Sequence, residues 1–270
     1  MNFLSSVRPV TPAAPYIGGK RNLAKRLVSI IDDIDCTTYA EPFVGMGGIF
    51  LRRGKRPKAE VINDISQDVT TFFRILQRHY IAFMDMLRFQ LTTRAGFERL
   101  IRTDPSTLTD LERAARFLYL QRLAFGGKVA GRNFGVDATR GARFDVTKLG
   151  PMLEELHERL APVVIECLPF DRFIARYDRA GTLFYLDPPY WGSEDDYGAA
   201  VFAPADFDRL AELLGRIEGR FILSINDTPE IRDIFAAFSM HGAETTYSVS
   251  GGATPAKELI ISNFVVPSQP

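Results

Sequence analysis

Apolar residues follow two spacings along this chain. Short, nearly continuous apolar runs stand at VVIECL (163–168), TLFYLD (182–187), RFILSIN (220–226) and ELIISNFVV (258–266), and they predict strands. TTYAE (37–41) and EVIND (60–64) read as two more strands, each running into an acid. Between the runs the apolar positions recur at helical spacing, near 20–31, 48–53, 148–160, 204–218 and 229–238. The longest helical stretch runs from 66 to about 125, as in FFRILQRHYIAFMDMLRF and LERAARFLYLQRLAF. Residues 126–147 begin GGKVAGRNFG, are rich in Gly, Arg and Asn, and predict an exposed loop or ribbon. Strand and helix alternate at both ends, with a helical block between them. The pattern predicts an α/β, doubly wound domain built from residues 1–73 and 151–270, interrupted by a helical and loop insertion at 74–150.

Composition narrows the setting. Hydrophobic residues make up 46% and charged residues 24%, which suits a packed core and excludes global disorder. Two cysteines, Cys36 and Cys167, cannot form a disulfide framework or a four-thiolate zinc site. The histidines His79, His157 and His241 are scattered, so no metal site is expected. With no signal-peptide pattern and no membrane-length apolar run, a soluble, cytoplasmic protein is expected.

The 33 basic and 33 acidic residues cancel overall, but not locally. Residues 1–73 carry a net +3, residues 74–150 a net +7 and residues 151–270 a net −10. The basic block is nearly all arginine, the side chain suited to forked contacts with phosphate and guanine. It points to a polyanion, with Arg122, Lys128, Arg132, Asn133, Arg140 and Arg143 as the candidate nucleic-acid contacts in its loop-like part. A solvated helix surface would look the same by charge alone.

Two motifs carry chemistry. The first is Glu41-Pro42-Phe43-Val44-Gly45-Met46-Gly47-Gly48, a Gly-rich turn between a strand and a helix. Such turns bring backbone close to a ligand, although Phe50 breaks the dinucleotide fingerprint. Asp64 ends the following strand, where an acid can accept from both hydroxyls of a ribose. Together they indicate a nucleoside-containing cofactor with no demand for a pyrophosphate. The second motif is Asp187-Pro188-Pro189-Tyr190, at the C-terminal end of an apolar strand. An exocyclic NH2 could donate to the Asp187 carboxylate and the Pro188 carbonyl, with Tyr190 as a stacking face. A rigid turn with Tyr190 in the core is the plain structural alternative.

Taken in order, these segments resemble the DNA adenine N6-methyltransferases of the Dam methylase type. The resemblance is carried by Tyr16-Ile-Gly18-Gly19-Lys20, the Gly-rich turn, Asn63-Asp64, Asp187-Pro188-Pro189-Tyr190, Ser224-Ile-Asn226-Asp227-Thr228 and the closing Glu258-Leu-Ile-Ile-Ser-Asn263-Phe264. It implies a Rossmann-like S-adenosyl-L-methionine-dependent methyltransferase fold with a mostly helical target-recognition insertion. In such an enzyme Glu41, Phe43, Gly45 and Gly47 would form the cofactor loop, and Asp64 would hold the ribose. Tyr16 and Lys20 would line the methionine end, Phe170 would pack on the cofactor adenine, and Asp187, which would also border the cofactor, and Tyr190 would grip the target adenine.

Two departures stand out. Pro169 precedes Phe170 where family members often carry an acid, and Gln121 and Gly126-Gly127 replace asparagines of the recognition segment. The implied reaction is methyl transfer to N6 of an adenine flipped from double-stranded DNA, with the proton lost to water because an ordinary Asp is a weak base. A restriction endonuclease counterpart and a monomeric state are the further expectations. An RNA adenine methyltransferase and an inactive DNA-binding relative remain open alternatives.

Overall fold

A computed structural model describes residues 3–17, 20, 23–135, 141–194, 201–249 and 252–266, with backbone alone at 245–249 and 252–256. Its elements run in chain order as follows. A short strand β1 (Ser5–Ser6) precedes helix α1 (Ala24–Asp32), strand β2 (Thr38–Glu41), the two-residue strand β3 (Lys55–Arg56) and β4 (Ala59–Asn63). Five helices follow: α2 (Gln67–Arg78), α3 (Tyr80–Leu87), α4 (Arg94–Arg102), α5 (Asp110–Leu123) and α6 (Val146–Leu160). Then come β5 (Val164–Glu166), α7 (Phe170–Tyr177), β6 (Thr182–Leu186), α8 (Pro204–Leu214), β7 (Arg220–Asn226), α9 (Pro229–Ile234), β8 (Ser239–Val249) and β9 (Gly252–Ser262).

Seven of these strands form one sheet in the order β5-β4-β2-β6-β7-β9-β8. The first five are mutually parallel, and β9 pairs antiparallel with both β7 and β8. All five residues of β6 are buried, as are Phe221–Ile225 of β7, because helices cover both faces of a parallel sheet. From β2 the chain moves outward to β4 and β5, then returns to place β6 on the other side of β2. That reversal opens a crevice at the carboxyl ends of β2 and β6, where open α/β sheets bind ligands. The expected Rossmann-like arrangement is therefore the one observed.

The helical block packs on the sheet through a shared apolar cluster. In α2 the buried residues Val69, Phe72, Phe73 and Leu76 form one stripe. The Phe72 ring meets those of Phe83 on α3 and Phe117 on α5, at centroid distances of 6.1 and 5.8 Å. Helix α5 starts with a capping box between Thr109 and Glu112 and is buried along much of its length. Positions 73/74 and 150/151 lie within α2 and α6, and one apolar cluster includes residues of these helices and of the sheet.

Local differences from the expected elements are few. The stretch 48–53 is a 3-10 turn at Phe50–Arg52 rather than a full helix, and α1 starts at Ala24 rather than Lys20. Helix α7 and strand β8 were not anticipated. The first is short, and the second, SMHGAETTYSV, is a polar edge strand held by its pairing with β9. No described helix is long and apolar enough to cross a membrane.

Candidate active site

Strand β2 delivers Glu41 to the crevice, and the Gly-rich turn follows at once. Gly45 and Gly47 adopt φ of 50° and 75°, a region that side-chain-bearing residues rarely occupy. A Cβ on Gly45 would lie 3.0 Å from the Tyr16 ring, so the turn and the N-terminal segment pack against each other here. Strand β4 anchors the turn from the other side. Val44 N–H donates to the Asn63 carbonyl at 2.9 Å, and Gly45 N–H donates to Asp64 Oδ2 at 2.9 Å. Asp64 Oδ1 accepts from Ser66 N–H at 2.9 Å, which also secures the start of α2. Each Asp64 oxygen keeps a further lone pair for a ligand hydroxyl. Asn63 ties the adjoining loops together: its amide donates to Pro42 O at 2.9 Å and Leu168 O at 3.0 Å, and it accepts from Leu168 N–H at 2.8 Å.

A cavity of about 900 Å³ opens beside this turn. Its walls include Tyr16, Lys20, Glu41, Phe43, Gly45, Asp64, Phe170 and Asp187, so the structure brings these sequence-derived candidates to one space. Three rings gather at one end: Phe43, Phe170 and Phe202 stand 5.8–5.9 Å apart, centroid to centroid. Pro169 lies in the wall at the position where an acid was missed, and Asp171 and Asp206 line the same end. Gly18 and Gly19 lie outside the described residues.

The surroundings of Asp187 are ionic. Asp187 follows the last residue of β6, and its side chain is 23% exposed. The Lys20 ammonium, 1% exposed, stands 3.1 Å from Asp187 Oδ1 and 3.0 Å from Glu258 Oε2. It also bonds the Tyr190 hydroxyl and lies 4.0 Å from the centroid of that ring. Tyr190 in turn donates to Glu258 Oε1 at 2.8 Å. Among the tetrad residues Asp187 and Pro189 line the cavity. Pro188 is buried, and the Tyr190 ring is turned toward Lys20 and Glu258 instead.

Burial dominates the acid–base properties of the site. It lifts Asp187 to about 7; the Lys20 charge opposes this and the Glu258 charge adds to it. Burial lifts Glu41 to about 8, against a 2.5 Å hydrogen bond from the Tyr39 hydroxyl and the attraction of Arg53. Asp64 rises to about 6 for the same reason, opposed by the N–H groups of Ser66 and Gly45. Three acids thus titrate near neutrality around one cavity, a pattern typical of active sites.

Several contributors had no role in the sequence reading. Glu258 is the clearest, and its signal was a lone acid at the head of an otherwise apolar strand. Asn226 fixes the residue after the tetrad: its amide oxygen accepts from Trp191 N–H and its amide donates to Trp191 O, both at 3.0 Å. Ser224 bonds the hydroxyl of Tyr185 at 2.7 Å, and Tyr185 lines the cavity. These contacts give physical reasons for the Ser224–Thr228 and Glu258–Phe264 segments that carried the resemblance.

The basic insertion is divided in use. Arg122 donates from Nε and Nη2 to the Arg143 carbonyl at 3.0 and 2.8 Å, and from Nη1 to the Ala13 carbonyl at 2.8 Å. Arg132 donates to Lys128 O and to Gln121 Oε1, while Gln121 donates to Pro15 O and Gly127 O. Arg122, Arg132 and Gln121 therefore fasten the insertion and, through Ala13 and Pro15, the N-terminal segment beside the cavity. Lys128 and Asn133 are exposed and Arg143 is half-buried, whereas Arg140 lies outside the described residues. Among the described residues no cluster of three or more His, Cys, Asp or Glu side chains could hold a metal ion.

The chain is similar in sequence to several known proteins. A type II methyltransferase, M.CviBI, of Paramecium bursaria Chlorella virus NC1A is 24% identical, covering 94% of this chain and 99% of that protein. A second, M1.LlaDCHI of Lactococcus lactis subsp. cremoris, is 23% identical over 98% of this chain and 99% of its own length. The retron Ec67 DNA adenine methylase of Escherichia coli is 25% identical over 82% of this chain and 81% of its own. The profile of one family matches residues 16–249, from the tyrosine beside the Gly-rich turn into the terminal hairpin, so the chain belongs to the D12 class of N6 adenine-specific DNA methyltransferases.

Proposed function

We propose that this enzyme uses S-adenosylmethionine to methylate N6 of an adenine extruded from a specific site in double-stranded DNA. One observation carries the reading: Asp187, at the end of β6, opens onto the same cavity as the Gly-rich turn and Asp64. The cavity suits the cofactor chemically. Asp64 offers carboxylate lone pairs to ribose hydroxyls, the Phe43, Phe170 and Phe202 rings offer an apolar slot for a purine, and Asp171 and Asp206 supply acceptors near that slot. Lys20, Asp187 and Glu41 line the same cavity. When bound, S-adenosylmethionine supplies an activated methyl group.

The protein's own task is then mainly positioning. The target amine is a poor nucleophile because its lone pair is delocalised into the ring. Asp187, ionised above about pH 7, accepts one N6 hydrogen and favours the positive charge that develops on nitrogen. The Pro188 carbonyl is the second acceptor. A carboxylate lifted to about 7 is also matched to take the departing proton, in place of its direct loss to water. The adenine must leave the duplex because N6 is paired inside it. Tyr190, oriented through its hydroxyl by Lys20 and Glu258, would replace the lost stacking at roughly 1–3 kcal/mol.

Lys128, Asn133 and Arg143, with Arg140, are the DNA-facing candidates, and Arg122 and Arg132 hold their loop in place. A cytoplasmic, monomeric enzyme paired with a restriction endonuclease completes the reading. Transfer of tritiated methyl to duplex DNA, RNA and protein tests it, with nucleoside analysis to identify the product. N6-methyladenine in DNA is the expected result. DNA binding without incorporation would favour an inactive relative, and labelling of RNA alone would overturn the DNA assignment.

A further inference from the structure

Behind Asp187 sits a buried carboxylate that joins two distant parts of the chain. Glu258 lies on β9 opposite Asn226 of β7, and its side chain is 1% exposed. Its Oε2 accepts from Lys20, 238 residues away, at 3.0 Å, and its Oε1 accepts from the Tyr190 hydroxyl at 2.8 Å. A carboxylate at this depth needs a cation, hydrogen bonds or a proton to compensate its burial, and Lys20 supplies the cation while also reaching Asp187. The hairpin strand thus sets where the N-terminal lysine and the tetrad tyrosine stand.

We propose that Glu258 is a positioning residue for methyl transfer: its carboxylate holds Lys20 against Asp187 and Tyr190 at the wall of the base site. The proposal rests on the reading of Asp187 and Tyr190 as the groups that receive the target adenine. With Lys20 fixed on Oδ1, the Asp187 carboxylate is oriented and keeps its other lone pairs for the amine. Without Glu258 the lysine would be left to one acid, and the tyrosine would lose an anionic acceptor that orients its ring.

Electrostatics separates this role from simple packing. Asp187 is faced by Lys20 from the N-terminal segment, Glu258 from β9, Glu41 from β2 and Tyr185 from β6, and Tyr190 shares Lys20 with it. Lys20 favours the Asp187 anion, and Glu258 opposes it. Neutralising these two partners should therefore move the titration of Asp187 in opposite directions, although each loss disturbs the same cluster.

The test uses the full-length enzyme and single-turnover methyl transfer to duplex DNA, followed across the neutral pH range. Cofactor affinity by calorimetry and thermal melting are measured alongside. For Glu258→Gln the plateau rate is expected to fall on the order of 10- to 100-fold, with cofactor affinity little changed. Its acid limb is expected to move below that of the wild type, while Lys20→Met moves the limb above it. Glu258→Asp, which keeps the charge and shortens the reach, should leave the limb near the wild-type position and still slow transfer.

A wild-type plateau rate in Glu258→Gln, or a limb that stays put, would overturn the proposal. Should Glu258→Gln fail to fold, Glu258→Asp decides, and a wild-type rate in that variant has the same consequence. Absence of transfer by the wild-type enzyme would instead remove the base-site reading and the proposal with it.

Discussion

Replacing Asp187 with asparagine should make the enzyme much slower and, above neutral pH, more stable. Asparagine keeps the size and an acceptor for Lys20 but removes the charge. Asp187 rises from 3.8 to about 7 in the folded protein, chiefly through burial. The sign follows from proton linkage. A carboxyl whose folded value is raised gives stability that is fully present below the unfolded value and is lost as pH climbs through the folded value. About three pH units at ~1.4 kcal/mol each set an upper bound of ~4 kcal/mol for the cost of the ionised group above pH 7. The side chain is 23% exposed, so water and local relaxation reduce that figure. For a chain of this size 1 kcal/mol corresponds to roughly 2–4 °C in Tm.

Asp187→Asn is therefore expected to melt several degrees above the wild type at alkaline pH, with the gap closing as pH falls toward 4. Its turnover should fall on the order of 10²–10³, the usual effect of removing one preorganised electrostatic group. Differential scanning calorimetry at several pH values, paired with single-turnover methylation, measures both. Parallel melting curves for the two proteins would refute the burial argument. Near-normal turnover would refute the catalytic assignment.

Four further outcomes are expected. Asp64→Asn should weaken S-adenosylmethionine binding on the order of 10-fold or more by calorimetry, because hydrogen bonds to a charged acceptor are worth about 1.5–3 kcal/mol; wild-type affinity should fall as pH drops through about 6, and a pH-independent affinity would count against Asp64. Gly45→Ala should cost about 1–2 kcal/mol of stability, since φ is 50° and its Cβ meets the Tyr16 ring at 3.0 Å, and an unchanged melting temperature would contradict this. Neutralising Lys128 and Arg143 together should lower the salt slope of DNA binding by about 2 in fluorescence anisotropy. Arg122→Ala should instead lower thermal stability, because its guanidinium carries bonds to the Ala13 and Arg143 carbonyls.

Local pattern was enough to locate much of this protein. The runs at 182–186 and 220–226 are strands because branched and aromatic residues buried on both faces leave no alternation to misread. Acids or amides at strand ends, such as Glu41, Asn63-Asp64 and Asp187, could be placed at one edge of the sheet from sequence order alone. Helix α7 and strand β8 could not: one is two turns long, and the other is a polar edge whose order comes from its partner β9. Arg122 read as a DNA contact by charge, yet its donors are taken up by carbonyls 21 and 109 residues away.

Asp187 shows the same division. Its residue type and strand-end position were legible, but its proton affinity belongs to the surroundings. Lys20 and Glu258 come near it only because the N-terminal segment reaches the end of β6 and the last strand pairs beside β7. Hydrophobic periodicity reports which way a side chain faces along its own element. Desolvation and charge pairing depend on what the rest of the chain brings against it, so the motifs were set by sequence and their chemistry by the folded cavity.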